Sequence, residues 1–191
     1  GSITSPLTIG SGGGDCNGGS GGGALFLNLS GNLVVNGSIA ADGNNGGINC
    51  DTSGYDGSGG GSGGSIFIRT NNISGVGSIS SSGGDGGSDT DDGGGGAGGR
   101  VALYYSSSSF SGDYFVHGGF GPGGAQDGSA GTIYTKKSSD QYGNLTINNN
   151  QSDSRYTPIN SSMIGSELNH LDVKDEAKLS VNRELTIHNK I

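Results

Sequence analysis

The chain has 191 residues, a net charge of −8, 44 glycines, no tryptophan and only 29% hydrophobic residues. That charge works against nucleic acid and anionic membrane surfaces, which are held chiefly through Lys and Arg, and no run approaches the roughly 18 to 20 apolar residues of a membrane-spanning helix. So little apolar material also disfavours a compact multilayer globule, and the composition by itself reads as a linker.

Repeated apolar runs argue against a linker. In chain order, the first expected strand lies in GSGGGALFLNLSGNLVVNGSIAADG from Gly19, where Leu25 and Leu27 alternate with small or polar residues. A turn at Gly31 and Asn32 leads to a second strand through Val34 to Ile39. The same order returns in GSGGSIFIRTNNISGVGSISSSGGDGG from Gly61, GGAGGRVALYYSSSSFSGDYFVHGG from Gly95 and GSAGTIYTKKSSDQYGNLTINN from Gly128. With Ala24, Ser65, Arg100 and Thr132 as markers, the blocks are 41, 35 and 32 residues apart, a drift that loops absorb while strands keep register. The apolar period is two, which predicts strands. Helix is disfavoured because each glycine costs about 1 kcal/mol against alanine and glycine interrupts every window.

Charge and glycine divide the chain into residues 1–135 and 136–191. The first part holds 42 of the 44 glycines and ten Asp against only Arg69 and Arg100. The second has seven acidic and seven basic residues, so the whole net charge belongs to the glycine-rich part. Alternation persists in the tail, at 145–148 and in the pairs Leu171/Val173, Leu179/Val181 and Leu185/Ile187. Residues 149–166 read as a polar excursion. The start lacks a charged segment leading into an apolar run, and the end breaks off within a strand pattern, as in a segment of something longer.

The expected fold is therefore all-β: a parallel β-helix, or β-solenoid, of glycine-rich repeats over 1–135, with a glycine-poor continuation or cap over 136–191. The glycine runs exceed what corners need. They read either as mobile loops or as extended strands packed in the manner of polyglycine II, and their recurrence at equivalent positions favours order. The stretch GGSGGSIFIRTNNISGVGSISSSGGDGG followed by GGAGGRVALYY resembles the glycine-rich β-helical repeats of large surface proteins of protists and bacteria, including those of extracellular filaments and flagellar hairs. The resemblance covers residues 12–135 and implies a structural, secreted role; the tail departs from it.

Cys16 and Cys50, about one repeat apart and outside any C-x-x-C or metal-ligand spacing, are expected to form a disulfide, which would stabilise by about 3 to 4 kcal/mol on loop entropy. Sequons for N-glycosylation stand at Asn28, Asn36, Asn72, Asn144, Asn150 and Asn160, the first three at polar, outward positions of expected strands. Asp85, Asp89, Asp91 and Asp92 are weak candidates for calcium, a cation that accepts six to eight oxygens in variable geometry. Their spacing matches neither the calcium-binding nonapeptide repeat nor an EF-hand, and a solvated acidic loop explains them as well. No other cofactor is expected.

A polysaccharide-active β-helix enzyme needs paired carboxylates with basic residues nearby, but Arg69 and Arg100 occupy different positions in their blocks and His117 sits beside a turn. Ice binding needs a Thr-x-Thr column that does not recur. The reading is a non-catalytic structural subunit of an extracellular or cell-surface fibre, flagellar hair or stalk, carrying N-glycans and polymerising head to tail with itself. The alternative is an adhesin or glycan-binding module using Tyr104, Tyr105, Phe110, Tyr114 and Phe115.

Overall fold

A computed structural model of the chain describes residues 1–48, 56–149, 155–160 and 162–188. Fourteen strands are described: β1 Ala24–Asn28, β2 Asn32–Val34, β3 Ser38–Ala40, β4 Ser65–Gly75, β5 Ser78–Ser80, β6 Arg100–Phe110, β7 Asp113–Phe115, β8 Thr132–Lys137, β9 Asn144–Asn148, β10 Tyr156–Ile159, β11 Glu167–Leu168, β12 His170–Lys174, β13 Lys178–Val181 and β14 Thr186–Ile187. The only helical element among the described residues is a 3-10 turn at Pro122–Gly124, and no helix is long and apolar enough to cross a membrane.

The main sheet has seven strands in the order β1, β4, β6, β8, β9, β12, with β2 also on β4. Strands β1, β4, β6 and β8 are parallel, and the four sequence markers Ala24, Ser65, Arg100 and Thr132 are register partners. A three-stranded parallel sheet, β3-β5-β7, lies beside it, and the tail adds two-stranded parallel sheets β10-β13 and β11-β14.

The expected parallel β-solenoid is overturned at β9. Residues 138–143 form a short hairpin loop, and β9 runs antiparallel to β8, pairing Ile133 with Thr146, Tyr134 with Leu145 and Thr135 with Asn144. Strand β12 then adds parallel to β9. The sheet is mixed, and the tail divides among three sheets instead of continuing one progression. Loop length is the physical reason: six residues allow a hairpin, whereas a parallel return needs a crossover of a dozen or more.

Two cores flank the main sheet. On one side Ile66, Ile68, Ile73, Val101, Leu103 and Ile133 meet Ile79 and the half-buried Ile39 and Tyr114 of the small sheet. On the other, Phe67, Ala102 and Tyr134 pack with Ile3, Leu145, Ile147, Ile159, Ile164 and Leu168. The segments SIFI and VAL are thus buried on both faces, as continuous apolar runs in parallel sheets are. Aromatic rings run across the second face: Phe26 stacks on Phe67 with centroids 5.0 Å apart, Phe67 meets Tyr104 edge-on at 5.7 Å, and Tyr104 meets Tyr134 at 5.7 Å. The Arg69 guanidinium lies 4.9 Å from the Phe67 centroid and 5.4 Å from that of Tyr104, a cation–π contact with both.

The described glycine runs form a third region, held by backbone hydrogen bonds between segments. One ladder passes from Asn44 N–H to Ser20 O (2.9 Å), Gly61 to Asn44 (2.8 Å), Gly84 to Gly61 (2.8 Å), Gly96 to Gly84 (2.8 Å), Gly119 to Gly96 (2.8 Å) and Gly128 to Gly119 (2.9 Å). Segments two rungs apart in the ladder also lie close. A Cβ on Gly61 would come within 3.0 Å of Ser20 O, and one on Gly96 within 3.0 Å of Gly61 O, so these positions exclude side chains by contact with backbone. The runs are ordered segments that satisfy their amides in one another, not projecting loops.

Candidate functional site

A cleft lies where the β8–β9 hairpin meets the tail. Its volume is ≈ 740 Å³, and its walls include Asp140, Gln141, Tyr142, Asn144, Asn169, His170 and His188. Contacts to β8, to β12 and within the loop fix the hairpin there. Asn144 is in register with Thr135 of β8 on one side and His170 of β12 on the other. Asn169 N–H donates to Gly143 O (2.8 Å), and its Nδ2 donates to Tyr142 O (2.7 Å). Lys136 Nζ donates to Gln141 O (2.8 Å), closing the loop on itself.

Inside this frame the Tyr142 ring stacks on the His188 imidazole, centroids 4.6 Å apart and 11° from parallel. His188 N–H donates to Leu168 O (2.8 Å), and its Nε2 lies 3.2 Å from Glu167 Oε1. Gln141 Nε2 donates to the Tyr142 hydroxyl (2.8 Å). Desolvation raises the Tyr142 phenol above its ordinary range, and the neighbouring Glu167 carboxylate adds to the rise. The cleft therefore presents a neutral phenol stacked on an imidazole, ringed by amides and carboxylates. Such a surface suits a ligand with a flat apolar face and many hydroxyls. Among the described residues no group of three or more His, Cys, Asp or Glu is placed to hold a metal ion.

The residues singled out from sequence are dispersed. Cys16 carries no free thiol; Cys50 lies outside the described residues, so the pairing of the two stays an expectation from sequence. Asn28 is exposed on β1 and Asn36 is exposed between β2 and β3, where its Oδ1 accepts from Val76 N–H at 3.4 Å. Asn72, expected to face outward, is half-buried in the middle of β4, and its Oδ1 accepts from the Ser107 hydroxyl at 3.0 Å. Asn160 Oδ1 accepts from Ser162 N–H (3.1 Å) and Oγ (2.7 Å), and Asn150 lies outside the described residues. Among the described sequons, Asn144 alone lines the cleft.

Three of the four calcium candidates turn a carboxylate oxygen to a backbone amide. Asp85 Oδ1 accepts from Phe120 N–H (2.7 Å), Asp92 Oδ1 from Asp89 N–H (3.2 Å) and Asp89 Oδ1 from Thr90 N–H (2.8 Å), while Asp91 makes a parallel backbone bridge to Asp56. The Asp85 contact joins two glycine segments, whereas those of Asp89 and Asp92 stay within the acidic stretch. Arg69 pairs in register with Tyr104 and Arg100 with Ser65, four positions apart along β6, so the two do not share a site. His117 Nδ1 lies 3.0 Å from Gly118 O. The five aromatics split between faces: Tyr104, whose hydroxyl donates to Thr4 O (2.9 Å), packs on one core and Tyr105, Phe110 and Tyr114 on the other, with Phe115 38% exposed.

Sequence reasoning missed Tyr142, Glu167, His170 and His188. One local signal was present: Tyr142 stands two residues before the Asn144-Leu145-Thr146 sequon. Nothing local announces that His188 closes on that ring. No protein-family model, curated protein or solved structure matches the chain.

Proposed function

We propose that the chain is a non-catalytic structural segment of an extracellular or cell-surface fibre or appendage, one that joins further copies of itself edge to edge and carries N-glycans. The observation that carries this reading is the pair of open parallel edges. Among the described residues, β2 pairs only with β4 and β3 only with β5 at one end; at the other, Ser107–Phe110 of β6 pairs only with β4, and β7 only with β5. The register columns Asn32–Asn72–Ser107 and Ser38–Ser78–Asp113 end on these two edges, so β2 and β3 of a second copy have the spacing to add as the next strands. Addition of strands at an exposed edge is an established mode of association, and a head-to-tail contact that does not close on itself grows into a filament. The resemblance of residues 12–135 to glycine-rich surface proteins, the sequons and the blocked thiol of Cys16 support an extracellular setting.

Val35 N–H donates inward to Ser74 O (2.8 Å), so by alternation the Val34 N–H faces away from β4, and its side chain is 61% exposed. Val34→Pro therefore removes a donor from the open edge without touching the internal ladder. Sedimentation velocity over a concentration series is expected to show growing oligomers for the wild type and a monomer for Val34→Pro at unchanged Tm. A wild type that stays monomeric, or a variant that assembles as well as wild type, contradicts the proposal.

A further inference from the structure

We infer that Asn144 is an N-glycan attachment point and that the cleft beside it receives the innermost sugar of that glycan, with Tyr142 as the stacking surface. The inference rests on the chain entering a secretory, glycosylating compartment, and it concerns a site that this reading leaves undefined.

Three observations single out Asn144. Its side-chain amide, like that of Asn28, takes part in no hydrogen bond among the described residues, whereas Asn36, Asn72 and Asn160 each have their Oδ1 engaged; its place in the fold separates it from Asn28. It is the first residue of β9, half-buried at the end of a hairpin loop whose Ser138, Ser139 and Gln141 are exposed. And it lines the same cleft as Tyr142, which stands two residues earlier in the loop.

The cleft's chemistry matches an N-acetylhexosamine. A pyranose has one face of C–H groups, which packs on a flat ring, and its hydroxyls and acetamido group need donors and acceptors at the rim. The Tyr142–His188 stack supplies a rigid flat ring, and Asp140, Asn169 and His170 supply the rim. The volume of ≈ 740 Å³ falls within the roughly 300–1,000 Å³ of small-molecule sites. In the attachment step the Asn144 amide nitrogen forms a bond to C1 of the sugar as the C1–O bond to a lipid pyrophosphate carrier breaks. The amide gives up one proton and the pyrophosphate leaves with the electron pair; a membrane-bound transferase and the lipid-linked oligosaccharide are supplied by the compartment. Once seated, the sugar ties the hairpin to β12 and to the segment bearing His188, so the modification is a structural staple as well as a surface coat.

Expression in a secreting eukaryotic host followed by glycopeptide mass spectrometry tests the first half. Occupancy of Asn144 is expected. An empty Asn144 with glycans on Asn28 or Asn36 overturns the inference and leaves the extracellular reading standing; a chain with no glycan at all removes both. For the second half, the glycan is trimmed enzymatically to a single N-acetylglucosamine. Asn144→Gln is then expected to lower Tm by about 2–4 °C, the shift one such contact carries in a chain of this length, and to change it by much less in a Tyr142→Ala background. Tyr142→Phe should retain the full effect. Equal losses in the Tyr142 and Ala backgrounds overturn the stacking. If Tyr142→Ala fails to fold, the N-acetyl methyl proton of the trimmed wild type decides: an upfield ring-current shift that vanishes on denaturation supports the contact, and a shift equal to that of the free glycopeptide contradicts it.

Discussion

At the scale of single residues, glycine does two different things in this chain. Gly96 has no room for a side chain, because a Cβ there would press on the Gly61 carbonyl, whereas around Gly23 there is nothing within 4 Å. Composition counts both as flexible, but only contact geometry separates them. Gly96→Ala is expected to destabilise by about 1–3 kcal/mol, the ordinary cost of forcing a methyl into a packed interior. Gly23→Ala should be neutral or stabilising by about 0.4–1 kcal/mol, since it restricts the unfolded chain alone. Thermal or denaturant unfolding of the two variants checks this, and equal effects would mean that the glycine segments are not packed. Contact geometry adds to the acidic loop in the same way: Asp85 and Asp92, weak metal candidates in sequence, have oxygens that accept from the amides of Phe120 and Asp89.

At the scale of elements, strand positions were legible and strand direction was not. The block markers fall in register because a period of two, repeated after each glycine run, fixes which residues share a face. That period is the same for parallel and antiparallel strands, so TIYTKKSSDQYGNLTIN read as one more repeat when it is a hairpin. The information was in the loop, since six residues cannot carry a parallel crossover. Nor could alternation tell that β4 runs unbroken from Ser65 to Gly75 while the equivalent stretch of the first block divides into β1 and β2 at Leu29–Gly31. Gly143 is the position on which the hairpin depends: a Cβ there would meet the Tyr134 ring. Gly143→Ala is expected to loosen β9 and β12 while leaving β1, β4 and β6 as they are, read by site-resolved hydrogen exchange. Uniform loosening of the sheet, or none, would contradict a hinge at that glycine.

At the scale of the whole molecule, the apolar cores account for only part of what is folded. The main sheet is covered on both faces by side chains, but the glycine segments have none to bury and are joined by amide-to-carbonyl bonds from Ser20 through Gly128. The candidate cleft was not legible for a related reason: it is assembled by a hairpin, β12 and His188, parts that meet only through long-range pairing. If the glycine region is a structural layer, its amides must be held as firmly as those of the sheet. Native-state hydrogen exchange measures this directly. The amides of Gly61, Gly84, Gly96 and Gly119 are predicted to exchange as slowly as those of Ile68 and Leu103 in β4 and β6; exchange at the rate of an unstructured loop, with the sheet still protected, would contradict it.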